Sequence, residues 1–71
     1  MQNFNLRQAI IMRVQDKSSE ELTDIIDSSI NSDEKTLPGL GVLFEMIWQN
    51  SEKREQNRMV QCLHNHLHPQ S

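Results

Sequence analysis

The densest chemistry in the chain sits near its end, where Cys62, His64, His66 and His68 follow one another at alternate positions. On a helix His64 and His68 share one face, as do Cys62 and His66, because residues four apart are neighbours there. Either pair offers a metal two ligands, whereas a closed structural zinc site takes four. No second Cys/His cluster exists elsewhere in the sequence. The expectation is therefore no metal site and no cofactor. The histidines belong to a last helical turn, where the negative end of the dipole favours them, and Cys62 reads as a packed thiol. As the only cysteine, Cys62 leaves no internal disulfide, which fits a reducing compartment.

Gly39-Leu40-Gly41 opens an apolar run and invites a phosphate-cradle reading. A dinucleotide fingerprint needs a third glycine where Phe44 stands, and a preceding strand that the pattern lacks. The glycines instead suit close approach of another helix, at about 1 kcal/mol of helix propensity each. Catalysis has little to work with. The acids of the second helical segment, Glu20, Glu21, Asp24 and Asp27, fall on a solvated helical face, away from apolar neighbours that shift a pKa. Glu45 is a lone acid within an apolar helix, and its long side chain is expected to reach water. No serine or cysteine stands in a nucleophile motif. The chain reads as non-enzymatic, with no small-molecule substrate.

Four segments with helical spacing must carry these residues. In the first, Leu6, Ala9, Ile10 and Val14 share a face, widened by Ile11 and Met12. Asn5 is the expected cap, with Gln8 at the capping-box position and Phe4 as a staple. The second opens on Ser18 and Glu21, a capping box, and repeats Leu22, Ile25, Ile26 and Ile30 until Asn31-Ser32-Asp33 stops it. The third starts at Thr36 with Pro38 in its first turn. From Leu40 to Trp48 it is apolar in nearly every direction, so it belongs in a core or under a second subunit. Strand is the competing reading, but no second strand-like run exists to pair with it. Ten polar residues, Gln49 to Arg58, follow. Ser51 is the expected cap of a fourth helix with an apolar row of Met59, Leu63 and Leu67, flanked by Val60 and Cys62 and closed by Pro69. The predicted fold is all-α: residues 1–71 as a single helical domain, a small bundle of about four short helices around a central apolar helix.

At 71 residues and 35% hydrophobic content, such a chain is near the lower limit for a self-sufficient core. Its longest apolar stretch, near Val42–Trp48, is too short to span a bilayer, and the N-terminus lacks the pattern of a secretory signal. A cytoplasmic location is the default. The net charge of −3 is unevenly spread: residues 1–15 carry +2, residues 16–34 carry −6 and the rest +1. An acidic middle is a poor phosphate-binding surface, and a helix-turn-helix reading would present Glu20, Glu21, Asp24 or Asp27 to the groove. Lys53, Arg54 and Arg58 form the basic spot on which an alternative, DNA association, rests.

The run Leu37-Pro38-Gly39-Leu40-Gly41-Val42-Leu43-Phe44-Glu45, with Ile47-Trp48-Gln49 after it, closely resembles the small acid-soluble spore protein I family of endospore-forming bacteria. Asn5-Leu6-Arg7-Gln8-Ala9, Glu34-Lys35, the overall length and an ending of Leu67 before Pro69 look like that family too. The Cys62–His68 tail is less typical of it. The resemblance implies a minor product of the developing forespore, held in the dormant spore core, with no known activity to carry onto residues. The chain does not look like the abundant alpha/beta-type spore proteins that coat DNA. The leading expectation is a protein that acts by association, with itself or with another spore-core protein. Leu40, Phe44, Ile47 and Trp48 are its core or interface anchors.

Overall fold

In a computed structural model, residues 5–68 are described; the expected staple at Phe4 and stop at Pro69 lie outside them. Four α-helices appear in order: α1 (Leu6–Val14), α2 (Ser19–Ser29), α3 (Leu37–Gln49) and α4 (Lys53–Leu67). Among the described residues one 3-10 turn, Glu34–Thr36, leads into α3. Among the described residues there is no strand, so the fold is an all-α small bundle.

Local chemistry explains where each helix begins. The Asn5 side chain accepts the Gln8 N–H at 3.3 Å. Ser18 and Glu21 form the complete capping box: the Ser18 N–H donates to Glu21 Oε1 at 2.9 Å, and the Glu21 N–H donates to Ser18 Oγ at 3.2 Å. α2 ends through Asn31, at φ 60°, a left-handed position that asparagine tolerates better than most residues. Thr36 holds the N-cap position of α3 but makes no side-chain cap bond: its hydroxyl donates to the Asp33 carbonyl at 2.8 Å and the Ser29 carbonyl at 3.3 Å. Pro38, lacking an N–H, removes one of the donors that a threonine cap would serve. Ser51 likewise donates backward, to the Ile47 carbonyl at 2.6 Å. The cap position of α4 falls to Glu52, whose N–H donates to Glu55 Oε1 at 2.9 Å.

The bundle is built on α3, with α1 and α2 packed along it. Gly39 is where α1 comes closest: a Cβ placed there would stand 3.2 Å from Cδ1 of Ile10. This is the close approach expected of the glycine pair, but only at one member. A Cβ on Gly41 would meet nothing within 4 Å. Ala9, Ile10 and Val14 on α1, and Leu22, Ile25 and Ile26 on α2, are half-buried against the shared centre. Ile11 and Met12 do not widen the packed stripe; they remain exposed, as does Ile30.

The covering of α3 is one-sided: of the two expected settings, a core or the cover of a second subunit, the protomer itself supplies a core for part of the helix alone. Val42 and Leu43, each 8% exposed, are the buried hydrophobic core. Leu37, Phe44 and Ile47 remain exposed on the same helix. The cause is the fourth helix. α4 does not fold back along α3, and its own Val60, Leu63 and Leu67 stay in solvent. The radius of gyration, 14.4 Å, exceeds the roughly 11 Å of a compact chain of this length. Stability should therefore hinge on a few side chains. We expect Leu43→Ala to destabilise the chain by about 2–4 kcal/mol, whereas Leu63→Ala should change it by less than about 1 kcal/mol. Chemical unfolding of both variants at low micromolar concentration checks the contrast. Equal losses would mean that α4 is packed after all.

Candidate functional site

Successive residues on a helix are rotated by about 100°. Leu37, Gly41, Phe44 and Trp48 consequently fall within an arc of about 60° on α3, with Leu40 and Ile47 along one border. Phe44 is 49% exposed and Ile47 43%, whereas Leu40 and Trp48 are half-buried. The Phe44 and Trp48 rings lie 5.9 Å apart with planes tilted by 43°, an aromatic pairing of ordinary geometry. The four expected anchors thus lie together as one strip of surface, and only Val42 and Leu43 behind them are buried. Leu37 and Gly41 complete the strip. Neither was among the expected anchors, although the i, i+4, i+7, i+11 spacing of Leu37, Gly41, Phe44 and Trp48 was there to find them.

This strip carries no charge of its own. The one charged residue of α3, Glu45, is held by α1 in a two-pronged contact. Arg7 Nε donates to Glu45 Oε1 at 2.6 Å and Arg7 Nη2 donates to Oε2 at 2.8 Å, across 38 positions of sequence. Glu45 does reach water, its side chain being 34% exposed, and there it meets Arg7. The hydrogen bonds from Arg7 hold the Glu45 carboxyl below its ordinary range and push the Arg7 guanidinium up. Glu21 is lowered as well, first by the Ser18 backbone N–H and then by the Ser18 hydroxyl. Both carboxyls are thus kept ionised at neutral pH, the opposite of what a general acid requires.

At the junction of α3 and α4, side chains take up carbonyls that a helix end leaves free. Asn50 Nδ2 donates to the Met46 carbonyl at 2.8 Å, and Gln56 Nε2 donates to the Trp48 carbonyl at 2.8 Å. Beyond that hinge, Met59, Val60, Leu63 and Leu67 share an arc of about 100° on α4. Met59 is half-buried; the other three are 49–60% exposed. Arg54 and Arg58 lie on the far side of α4 from this row, and Lys53 is rotated about 100° from Arg54. All three are exposed, and the structure brings Arg54 and Arg58 onto one face without Lys53. Cys62 is exposed rather than packed. His64 and His68 have ring centroids 4.7 Å apart. Among the described residues no group of three or more His, Cys, Asp or Glu side chains is placed to hold a metal. No described helix is long and apolar enough to cross a membrane.

Fold and surface together define the class: a small all-α protein whose apolar side chains are displayed as much as they are packed. The chain belongs to the small, acid-soluble spore protein I family, whose sequence profile matches residues 4–67. It is 44% identical to the small, acid-soluble spore protein I of Bacillus subtilis strain 168 over 68 residues, covering 94% of this chain and 96% of that protein. It is also 44% identical to the protein of that name from Bacillus cereus strain G9842 over 62 residues, 86% of this chain and 90% of the relative. The Bacillus anthracis protein of the same name is 42% identical over the same span. No solved structure matches the chain. The resemblance read from the Leu37–Glu45 run is borne out, and the chain is a sporulation protein by family.

The downward shifts give a signed pH dependence. A carboxyl with a lowered folded-state pKa contributes stability above its unfolded value and loses it as pH falls through the folded one. The ordinary value for both glutamates is 4.5. Melting temperature should therefore be insensitive to these groups at neutral pH and fall as pH drops below about 4.5. In Glu45→Gln that acid-side fall should be shallower, as thermal melts over a pH series would reveal. Superimposable curves would mean that the Arg7 contact is absent in solution.

Proposed function

We propose that the chain is a non-enzymatic protein of the spore core that acts by protein association, and that the strip Leu37, Gly41, Phe44, Ile47 and Trp48 on α3 is where its partner sits. The observation that carries this reading is Gly41. A glycine inside a helix costs about 1 kcal/mol against alanine, and nothing in the protomer uses the space it leaves. Placed amid Leu37, Phe44 and Trp48, that space suits the backbone of a second helix. A contiguous exposed apolar strip is itself an association signal.

A second copy of this chain is the partner that the surface favours over another spore-core protein. Pairing through α3 brings no like charges together, since Glu45 is already matched by Arg7. The chain exposes 6466 Å², against about 4,600 Å² for a compact monomer of its mass. The excess is ample for the roughly 800 Å² that each partner contributes to a standard interface. Two-fold pairing is also the commonest oligomer symmetry.

Sedimentation from about 1 µM to about 1 mM tests the idea. We expect a monomer–dimer equilibrium that Phe44→Ala weakens by about tenfold or more. Gly41→Ala separates this reading from simple packing: it should stabilise the protomer by about 0.5–1 kcal/mol and still weaken the dimer. A strict monomer throughout the range would refute self-association.

DNA association is the second reading, favoured by the exposed, shared face of Arg54 and Arg58. The acids of α2 weigh against it, since Glu20, Glu21, Asp24 and Asp27 are all exposed. Titration with duplex DNA decides: this reading expects binding that weakens steeply as salt rises, and Arg54→Gln should reduce the slope. Absence of binding at low salt would dismiss it.

A further inference from the structure

A cleft of about 930 Å³ opens between α1, α2 and the first half of α3. Its apolar lining comes from Leu6, Ile10, Val14, Ile25, Leu40 and Leu43. Arg13, Lys17 and Lys35 line it as well, and no Asp or Glu does. The chain has ten acids and only seven Lys and Arg residues. Seven of those acids lie between Asp16 and Glu34, a stretch that contains α2 and one of the cleft's walls. α2 nonetheless turns Ile25, Ser28 and Ser29 toward the cleft, and none of its carboxylates lines it, although Lys17 is near enough to Glu21 to help lower that carboxyl.

The three cations reach this place from separate parts of the chain. Arg13 is in the last turn of α1, Lys17 in the connection to α2, and Lys35 in the 3-10 turn before α3. No single helical periodicity brings them together. Among the described residues the one ion pair is that of Arg7 with Glu45, so none of the three cleft cations is in an ion pair there. The hydroxyls beside them are already engaged. Ser28 and Ser29 donate to the Ile25 carbonyl, and Thr36 donates to the Asp33 and Ser29 carbonyls. Polar recognition in the cleft therefore falls to positive charge.

We propose that this cleft binds a small amphiphilic anion of the fatty-carboxylate class. The apolar body would lie over Ile10, Ile25 and Leu43. The carboxylate would be held by charge-assisted hydrogen bonds from Arg13, Lys17 and Lys35. The volume is within the range of small-ligand sites, which are likewise mostly apolar with a few converging polar groups. The proposal is independent of the association surface: Phe44, Ile47, Trp48 and α4 do not line the cleft, and Leu40 alone of the four anchors does. The bound molecule is a ligand; no reaction is assigned to it.

The test is titration of decanoate into the full chain at neutral pH, followed by calorimetry and by NMR shifts of the isoleucine and leucine methyls. The expected result is saturable one-to-one binding that moves the methyls of Ile10, Ile25 and Leu43. The double variant Lys17→Gln/Lys35→Gln should weaken it by about tenfold or more, since hydrogen bonds to charged groups are among the stronger ones. Lys53→Gln, outside the cleft, should bind like the parent chain. Decyltrimethylammonium, with the same tail and the opposite charge, should not saturate. Three results would each overturn the proposal: no saturation by decanoate, parent-like binding by a double variant that melts normally, or equal binding of the cationic amphiphile.

Discussion

An apolar helix needs more cover than this chain can supply, and the rest of the structure follows from that shortage. α3 presents apolar side chains in almost every direction, yet hydrophobic residues make up only 35% of the sequence. α1 and α2 together shield the side that holds Val42 and Leu43. Shielding is closest where Gly39 admits Ile10. The opposite side is left open because the helix that would close it points elsewhere. In a small domain, where the surface-to-volume ratio already limits the core, that leaves two buried hydrophobic side chains at its centre.

The divergence of α4 has a local cause. The end of α3 is finished by side chains from the turn and from α4 itself, with Asn50, Ser51 and Gln56 taking the carbonyls of Met46, Ile47 and Trp48. These bonds fix where α4 begins while spending its polar N-terminal turns on the junction. The apolar row at Val60, Leu63 and Leu67 follows beyond the junction and stays exposed. At the other end, the Arg7–Glu45 contact joins α1 to α3 and removes the only charge from the latter. One pair thus seats a helix and leaves the neighbouring surface neutral. Its exposure keeps it weak as a source of stability, so its larger consequence is for what the open face can meet.

Much of this was legible beforehand, for reasons that differ by residue. Asn5, Ser18 and Glu21 announced their helices because a cap is a local hydrogen bond between residues close in sequence. The four periodic segments were equally local. Thr36 and Ser51 misled because a hydroxyl both donates and accepts. Each donates to a carbonyl on its N-terminal side instead of accepting from the helix ahead. The Arg7–Glu45 pair bridges 38 positions and left no local mark, although Glu45's isolation in an apolar run hinted that it needed a partner. The anchors Leu40, Phe44, Ile47 and Trp48 were identifiable as a group, but periodicity alone does not say which side of an all-apolar helix is covered. The placement of Arg13, Lys17 and Lys35 along one cleft is likewise a property of the tertiary arrangement.

The one-sided cover of α3 can be read most directly from solvent paramagnetic relaxation, using an inert soluble probe and a dilute sample of monomer. The methyl protons of Val42 and Leu43 should be shielded, while the Phe44 ring and the Ile47 methyls on the same helix relax strongly. Uniform shielding of all four residues would mean that α4 closes over the helix. Uniform exposure would mean that α1 and α2 do not cover it at all.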